Sequence, residues 1–370
     1  INSSAFQYQP VPDPNDPLLE KQWGIFKTKT DVAWEHDYTG NGIEIAIIDS
    51  GIDTDHQDLE YDSKSYNFCD NNTDVEDVNG HGTRVAGVAG ARINNGEGIA
   101  GVAGDAKLLV LKDGDETATK SATIASIIYA TDKGVEIINI STYYSSLGQN
   151  LNDAINYAWD NGSLIAACAG NEGDNTEYYP AYHELVIGVG ALNEDGTRRE
   201  DSNYECDIYA PGSYIMTTKF TGEYGMAGQT SIATPFVTGL AALVKQQHPE
   251  YGPDQIRNAI LNGADTVYLD VGQALRMNSA GALGLTGVNE NPVAECSLFH
   301  FNFGNQSLNY QIPQGIEARV DWYNPIGQKV ETDYLSGQGS YELKGMGKGV
   351  YFYKAQIGSD IYSGKAVVSQ

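Results

Sequence analysis

Long apolar runs are missing from this 370-residue sequence, and basic residues are scarce. Because no stretch of about 18 consecutive apolar residues occurs, we expect no membrane-spanning helix. Lys and Arg number 22 against 49 Asp and Glu, which gives a formal net charge of −27. Such an acidic surface repels phosphate backbones, so we expect no nucleic acid among the partners. It is either a solvated surface that keeps the chain in solution or one that attracts cations and basic substrates.

Cysteine is also rare, with four residues: Cys69, Cys168, Cys206 and Cys296. Four cysteines allow three complete pairings, and the sequence does not choose among them. Cys168 lies in an apolar stretch, which favours a buried free thiol. No cysteine has the glycine-rich, helix-opening setting that activates a thiol, so a cysteine nucleophile is the weaker alternative.

The chain is longer than a single core usually grows, which predicts two domains. Residues 1–30 are rich in Pro and Asp and predict an extended arm. Residues 31–280 form the main domain, 281–293 read as a Gly- and Asn-containing linker, and 294–370 carry strand signals that predict a small β-domain. Because the sequence begins at Ile1 rather than Met, we expect a processed form.

Apolar runs alternate with amphipathic stretches in the main domain. Short β-branched runs, typical of strands buried on both faces of a parallel sheet, occupy 43–49, 108–111, 135–140, 164–169 and 185–189. Helical spacing occupies 121–133, 151–160, 231–247 and 253–262. The alternation predicts an α/β fold in which helices flank a parallel sheet.

Three segments carry candidate reactive groups. Asp49 ends a buried strand, His81 opens a helix after Asn79-Gly80, and Ser231 begins a long apolar helix. The carboxyl edge of an open α/β sheet is where functional groups gather. Each residue alone also has a purely structural interpretation, as a turn residue, a structural histidine or a helix N-cap.

Taken together, in the order Asp, His, Ser and with these flanks, the segments resemble the subtilisin-like serine proteases over about residues 10–280. The resemblance implies a subtilisin-like parallel sheet and a serine endopeptidase acting on proteins or peptides. Ser231 would be the nucleophile, His81 its general base and Asp49 the anion that orients the imidazole. Asn171 matches the side-chain donor of the family's oxyanion hole.

The resemblance also identifies a substrate-binding set, made up of Ser141, Thr142, Tyr143, Gly170, Glu172 and Tyr178. Here the chain departs from its family. Tyr143 and Tyr144 replace glycines, and Tyr178 replaces a small residue, which predicts a narrowed pocket. Acidic residues near the cleft (Glu172, Asp113, Asp115, Glu116) favour basic substrates; a preference for small residues is the alternative.

One further departure concerns the turn before the nucleophile. Gln229 replaces the family's usual glycine before Thr230 and Ser231. If this turn needs a left-handed backbone, it stores strain of about 1–3 kcal/mol.

Calcium is the cofactor that the resemblance implies. The residues that match the family's calcium ligands are Asp16, Asp58, Ile93, Asn95, Glu97 and Ile99. Oxygen ligands from separate segments suit Ca²⁺. A second acidic loop, 70–77, is either another calcium loop or a solvated surface loop.

The C-terminal segment resembles the sorting domains of type IX secretion cargo, on residues 320–330 and 347–354. This implies contact with a secretion machinery and a secreted or cell-surface protein, expected to be monomeric. A generic β-sandwich accessory or carbohydrate-binding domain is the alternative.

Two other functions are kept open for the whole chain. A catalytically silent relative would explain the altered substrate wall, although the intact Asp-His-Ser set opposes it. A glycosidase with paired carboxylates has only the acidic composition in its favour.

Overall fold

The computed structural model describes residues 14–285 and six shorter C-terminal ranges: 299–302, 307–311, 317–324, 329–342, 349–357 and 360–368. Contacts divide the chain into two compact units, Ile1–Thr286 and Gly287–Gln370. The division falls within the predicted linker 281–293, whose first two residues still belong to a helix. The rest of that linker from residue 286 lies outside the described residues.

The first unit contains eleven described strands. They are β1 (Glu44–Asp49), β2 (Tyr66–Asn67), β3 (Lys107–Lys112), β4 (Ile137–Ile140), β5 (Leu164–Cys168), β6 (Val186–Leu192), β7 (Ile208–Pro211), β8 (Ile215–Lys219), β9 (Glu223–Ala227), β10 (Asp265–Leu269) and β11 (Gly272–Arg276). Nine of them form one sheet in the order β10-β11-β7-β6-β5-β4-β1-β3-β2, and β8 and β9 form a separate hairpin. All neighbours in the large sheet are parallel except β10 and β11.

The described helices of this unit lie between the strands. They are α1 (Trp23–Lys27), α2 (Thr30–Glu35), α3 (His81–Gly90), α4 (Lys120–Asp132), α5 (Gln149–Asp160), α6 (Thr230–Gln247), α7 (Pro253–Asn262) and α8 (Ser279–Ala282). The predicted α/β class is confirmed, because the apolar runs are β1 and β3 to β6 and the amphipathic stretches are α4 to α7. Two apolar cores result, the larger of which includes most of α6.

The predicted extended arm over residues 1–30 differs from the described part of the structure. A single 3-10 turn at Leu19–Lys21 is followed by α1 and then by α2. Ile25 is buried, and the Trp23 indole donates to the Ser213 carbonyl at 3.1 Å. Apolar burial therefore outweighs the Pro- and Asp-rich composition from residue 19 on. Residues 1–13 lie outside the described residues.

The second unit is antiparallel throughout its described strands, as expected for a small all-β domain. These strands are β12 (Phe299–Asn302), β13 (Ser307–Gln311), β14 (Glu317–Tyr323), β15 (Lys329–Ser336), β16 (Gln338–Glu342), β17 (Gly349–Ile357) and β18 (Asp360–Val368). They form two sheets, β12-β13-β16 and β15-β14-β17-β18. Trp322 of one sheet is fully buried and stacks on Tyr341 of the other, with ring centroids 6.0 Å apart.

No helix within the described ranges is long and apolar enough to cross a membrane.

Candidate active site

Asp49 is placed by the carboxyl end of β1. The strand is buried from Ile45 onward because parallel neighbours cover both of its edges and helices cover its faces. Asp49 is itself only 5% exposed, and its Oδ1 accepts a hydrogen bond from the Ser50 amide at 2.7 Å. The strand and the Ser50 amide therefore hold this carboxylate at the sheet edge independently of His81.

His81 is the first residue of α3, and a buried carboxylate holds this helix start. Asp77 accepts hydrogen bonds from the amides of Gly80 (2.7 Å) and Thr83 (2.9 Å), and from the hydroxyls of Thr83 (2.6 Å) and Ser50 (2.9 Å). These donors lower the pKa of Asp77 even though burial opposes them. Such capping satisfies amides that no intrahelical carbonyl reaches.

Asp77 is a residue that the sequence reasoning missed, because it lies in the acidic loop 70–77 and reads there as a calcium ligand or a solvated acid. The signal was its position three residues before a helix-opening Gly-His pair, where an Asp caps the helix. Its side chain is instead fully buried.

Ser231 is the second residue of α6, at the end of a strained turn. Gln229 has φ 86° and ψ 175°, a region occupied essentially only by glycine. The turn is held by a hydrogen bond from the Gln229 amide to the Gly212 carbonyl at 2.7 Å. The positive φ of Gln229 is the condition under which the sequence analysis expects strain in this turn.

Pro235 shapes the same helix. Because proline has no N–H, it cannot bond to the Ser231 carbonyl one turn earlier. The Ser141 hydroxyl donates to that carbonyl instead, at 2.9 Å, and receives a hydrogen bond from Asn139 at 3.0 Å. The side chain of Ser141 thus supports the helix that carries Ser231.

Asp49, His81 and Ser231 meet in one hydrogen-bonded line. His81 Nδ1 lies 2.7 Å from Asp49 Oδ1, and His81 Nε2 lies 3.0 Å from Ser231 Oγ. The charge of Asp49 is the main cause of a raised His81 pKa, and burial opposes it. A hydroxyl in contact with an imidazole that a carboxylate orients is the arrangement that activates a serine.

Asn171 follows β5 at the same edge of the sheet. Its side-chain oxygen accepts from the amide (3.0 Å) and the hydroxyl (2.9 Å) of Thr230. With the oxygen so occupied, the amide nitrogen is the end left to donate to a ligand. The Ser231 amide is a first-turn helix donor that no intrahelical carbonyl reaches, so it is a second candidate donor for a ligand.

These features match a known family. A model of the subtilase family, Peptidase S8, covers residues 40–291, more than half of the chain. The chain belongs to the subtilase family.

Individual relatives agree with this assignment. A thermophilic serine proteinase from Bacillus sp. (strain AK1) is 41% identical over 260 residues, covering 69% of this chain and 64% of the relative. Thermitase from Thermoactinomyces vulgaris is 37% identical over 260 residues and is covered to 92%. A solved protease from Pseudoalteromonas arctica PAMC 21717 matches with a TM-score of 0.68 and 27% identity, covering 74% of this chain and all of the other. These similarities show that this subtilase is a serine endopeptidase of the subtilisin-like type.

The predicted substrate wall of this subtilase is built by two segments after β4 and β5. The first carries Thr142 and Tyr143, and the second carries Gly170 and Glu172. The Tyr144 and Tyr179 backbones bond to each other at 2.7 and 2.9 Å, which brings Tyr178 beside the first segment. The rings of Tyr143 and Tyr178 are 4.6 Å apart. The structure therefore places these predicted residues together, next to Ser231.

Asp113 does not take the predicted place at the cleft surface. It is only 1% exposed, and its Oδ2 accepts from the Thr123 hydroxyl at 2.5 Å. Burial raises the pKa of Asp113 to about 8. Asp115 remains exposed and pairs with Lys112 at 2.7 Å. Asp113 is therefore not available to contact a basic side chain of a substrate.

Among the predicted calcium ligands, the carboxylates of Asp16 and Asp58 are buried, whereas Asn95 is half-buried and Glu97 is exposed. Asp58 is fully buried and accepts from the Asn95 side chain (2.7 Å) and the Ile99 amide (3.0 Å). Asp16 accepts from the Asn94 amide at 3.0 Å, while its buried Oδ1 has no hydrogen-bond partner. Burial raises the pKa of both carboxyls, and the charge of Asp58 adds to the rise at Asp16.

This donor set fits a cation. Two desolvated carboxylates lie close together with one oxygen unpaired, and the loop that contains Ile93, Glu97 and Ile99 adds backbone carbonyls. No group of three or more His, Cys, Asp or Glu suited to a metal occurs among the described residues. The candidate site therefore depends on main-chain and amide oxygens in addition to the two carboxylates.

The three cysteines that the structure describes are free thiols. Cys168 is a buried free thiol, as predicted, and burial raises its pKa to about 12. Cys69 and Cys206 are also free, and Cys296 lies outside the described residues. A thiol with so high a pKa stays protonated and unreactive.

Proposed function

We propose that this subtilase hydrolyses peptide bonds through an acyl-enzyme on Ser231. The observation that carries the proposal is the line of hydrogen bonds from Asp49 through His81 to Ser231, at 2.7 and 3.0 Å. Ser231 Oγ attacks the carbonyl carbon and passes its proton to His81 Nε2. Asp49 stabilises the imidazolium and keeps the ring in the tautomer that accepts at Nε2.

The second half of the reaction uses the same groups. The oxyanion of the tetrahedral intermediate accepts hydrogen bonds from the Asn171 side-chain amide and the Ser231 N–H; one such donor is typically worth about 2.7–4 kcal/mol. When the C–N bond breaks, His81 gives its proton to the leaving amine. A water molecule, deprotonated by His81, then attacks the acyl carbon; the bond to Ser231 Oγ breaks, His81 returns the proton to that oxygen, and the carboxylic acid product leaves.

Labelling with a fluorophosphonate tests the proposal. We expect one phosphonyl group per chain, located on Ser231 by peptide mass mapping, together with loss of casein turnover. Ser231→Ala should abolish both, whereas Ser121→Ala, at an exposed serine on α4, should leave both unchanged. Labelling at another residue, or full turnover by Ser231→Ala, would refute the assignment. A protein that labels on no serine and turns over no casein would instead be a silent relative.

Calcium is proposed as the stabilising cofactor. The residues that would hold it are Asp16, Asp58 and Asn95, with the carbonyls of Ile93, Glu97 and Ile99. Its support is the pair of buried carboxylates with raised pKa values and the unpaired oxygen of Asp16. When bound, the ion supplies positive charge that offsets the burial of these carboxylates and ties the segment at Asp16 to the loop after α3.

Export is proposed for the second unit. Its support is the resemblance of residues 320–330 and 347–354 to sorting domains of type IX secretion cargo, of which 325–328 and 347–348 lie outside the described residues. We expect a secreted or surface-attached monomer whose C-terminal unit is read by the secretion machinery. Deletion of residues 287–370 should then retain the protein inside a host that has this machinery, and unchanged export would contradict the proposal.

A further inference from the structure

The space beside Ser231 is bounded by two short segments. Ser141 donates to the Ser231 carbonyl at 2.9 Å, and the Gly170 carbonyl accepts from the Thr230 hydroxyl at 3.3 Å. The residues next to these anchors, Thr142 and Tyr143 on one side and Asn171 and Glu172 on the other, therefore flank the position of the acyl group. A side chain on the acyl side of the scissile bond has to enter between them.

Tyr143 bridges the two segments, because its hydroxyl reaches Glu172 on the opposite one. Its ring packs against Tyr178 at a centroid distance of 4.6 Å and an interplanar angle of 53°. Tyr178 in turn covers Gly170, because a Cβ added there would lie 2.7 Å from the Tyr178 ring. The tyrosine pair thus fills a gap that glycine backbone leaves open.

The Tyr143 hydroxyl is fixed as well. It donates to Glu172 Oε1 at 3.2 Å. Burial first, and then the charge of Glu172, raise the pKa of Tyr143 to about 12, while the nearby Asn171 side chain opposes the rise. The hydroxyl consequently stays protonated and remains a donor throughout the working range of a histidine base.

Glu172 is occupied by the same arrangement. Its Oε1 accepts a hydrogen bond from the Tyr143 hydroxyl, and its Oε2 accepts one from the backbone amide of Asn171 at 3.0 Å. Glu172 is exposed and each of its oxygens can accept a second hydrogen bond, so the carboxylate alone does not exclude a basic side chain. An entering side chain is limited instead by the Tyr143 ring, which its contact with Tyr178 and its hydrogen bond to Glu172 hold in place.

We propose that Tyr143 closes the side-chain pocket and restricts cleavage to peptide bonds that follow Gly, Ala or Ser. The inference rests on the proposed function, because it concerns the acyl side of the bond that Ser231 attacks. A larger side chain enters only when the Tyr143 ring leaves Tyr178 and its hydroxyl leaves Glu172. Tyr143 is thus a specificity-determining residue rather than a catalytic one.

Peptide-library profiling of the full chain tests this inference, followed by kcat/KM for matched peptides with Ala or Phe before the scissile bond. The wild type should cleave after small residues. Tyr143→Gly should raise the Phe-to-Ala ratio of kcat/KM by about 10–200-fold, the range that pocket volume alone commands. Tyr143→Phe, which keeps the ring and loses only the hydroxyl, should keep the low wild-type ratio.

Three results would overturn the inference: wild-type cleavage after Phe, Leu, Lys or Arg as efficient as after Ala; an unchanged ratio in Tyr143→Gly; or an equal rise in Tyr143→Phe. Fluorophosphonate labelling of each variant separates this failure from failure of the proposed function. A variant that labels on Ser231 is folded and active at the nucleophile, so its cleavage profile is a valid test of the pocket. Absence of wild-type labelling would refute the function itself.

Discussion

The imidazole of His81 lies between a buried carboxylate and a hydroxyl, and only its neutral form accepts a proton from Ser231. The Asp49 charge raises the His81 pKa above the ordinary value of 6.5. Activity should therefore fall on the acid side at a higher pH than an unperturbed histidine would give, because the base is already protonated there.

Asp49→Asn tests this electrostatic role. Removal of the charge should lower the His81 pKa and move the acid limb of the pH profile of kcat/KM to lower pH. The variant should also lose about 10⁴-fold in kcat, because an amide favours the wrong tautomer. The measurement is a pH–rate profile with a short ester substrate. An unchanged acid limb would show that Asp49 does not set the pKa.

Gln229 carries the backbone strain of the nucleophile turn, with φ 86° and ψ 175°. Gln229→Gly should relieve strain of about 1–3 kcal/mol, partly offset by the greater entropy of glycine in the unfolded chain. Thermal unfolding should show a rise in Tm of a few degrees, since about 1 kcal/mol corresponds to roughly 2–4 °C at this size.

The matched control is Gln229→Ala. It removes the exposed side-chain contact with Asp201 at 3.2 Å but keeps the Cβ that makes the turn costly. If alanine raised Tm as much as glycine does, backbone strain would not be the cause.

Strands and helices were predictable where burial dominates. The runs of β1 and β3 to β6 are apolar because both faces of each strand are covered. Strands β9 and β10 were not predicted, because they consist of exposed and half-buried residues, charged ones among them. Strand β8 was not predicted either: it is buried over four of its five residues, but three of the five are Thr or Lys. The alternation of apolar and polar residues in such a strand is too weak to distinguish its sequence from that of a polar loop.

The residues of the candidate site likewise divide into those that the sequence predicted and those that it did not. Asp49, His81 and Ser231 were predictable because their order and flanking residues together resemble one family, although each alone, at a strand end or a helix start, also has a structural interpretation. Asp77 and Asp113 were not, because an acid in a polar stretch reads as exposed until its long-range donors or its burial are known. Burial in both cases comes from segments distant in the sequence, which no local pattern contains.

The loop after α3 gives a prediction for calcium. Because the pKa values of Asp16 and Asp58 are raised, their ionised forms are disfavoured in the fold, so without a cation stability should fall as pH rises through this range. A chelator should lower Tm at neutral pH and less at acid pH, where the carboxyls are protonated. At calcium 100 times above Kd the loss is about 2.7 kcal/mol.

Two variants make the calcium experiment specific. Asp58→Asn should remove the difference in Tm between calcium and chelator, whereas Asp160→Asn, at an exposed acid at the end of α5, should preserve it. A melting curve that excess chelator leaves unchanged in the wild-type protein would contradict the calcium site.

At the scale of the whole molecule, the first unit contains everything that the site requires. Its two large cores use only residues up to 285, and the large sheet is bounded by β2 and by the β10–β11 hairpin. The solved protease from Pseudoalteromonas arctica is covered completely by 74% of this chain. A second unit is therefore not needed to complete the peptidase fold.

A chain that ends at Thr286 should consequently fold and keep the kcat/KM of the full chain on a short peptide. A chain that ends at Asp270 should not, because it loses β11, which pairs with β7, and the buried Met277 of the following segment. Circular dichroism melting and fluorophosphonate labelling measure both variants. If the chain that ends at Thr286 failed to fold, the peptidase unit would depend on residues beyond 286. If the chain that ends at Asp270 stayed active, the core would require neither the pairing of β11 with β7 nor the buried Met277.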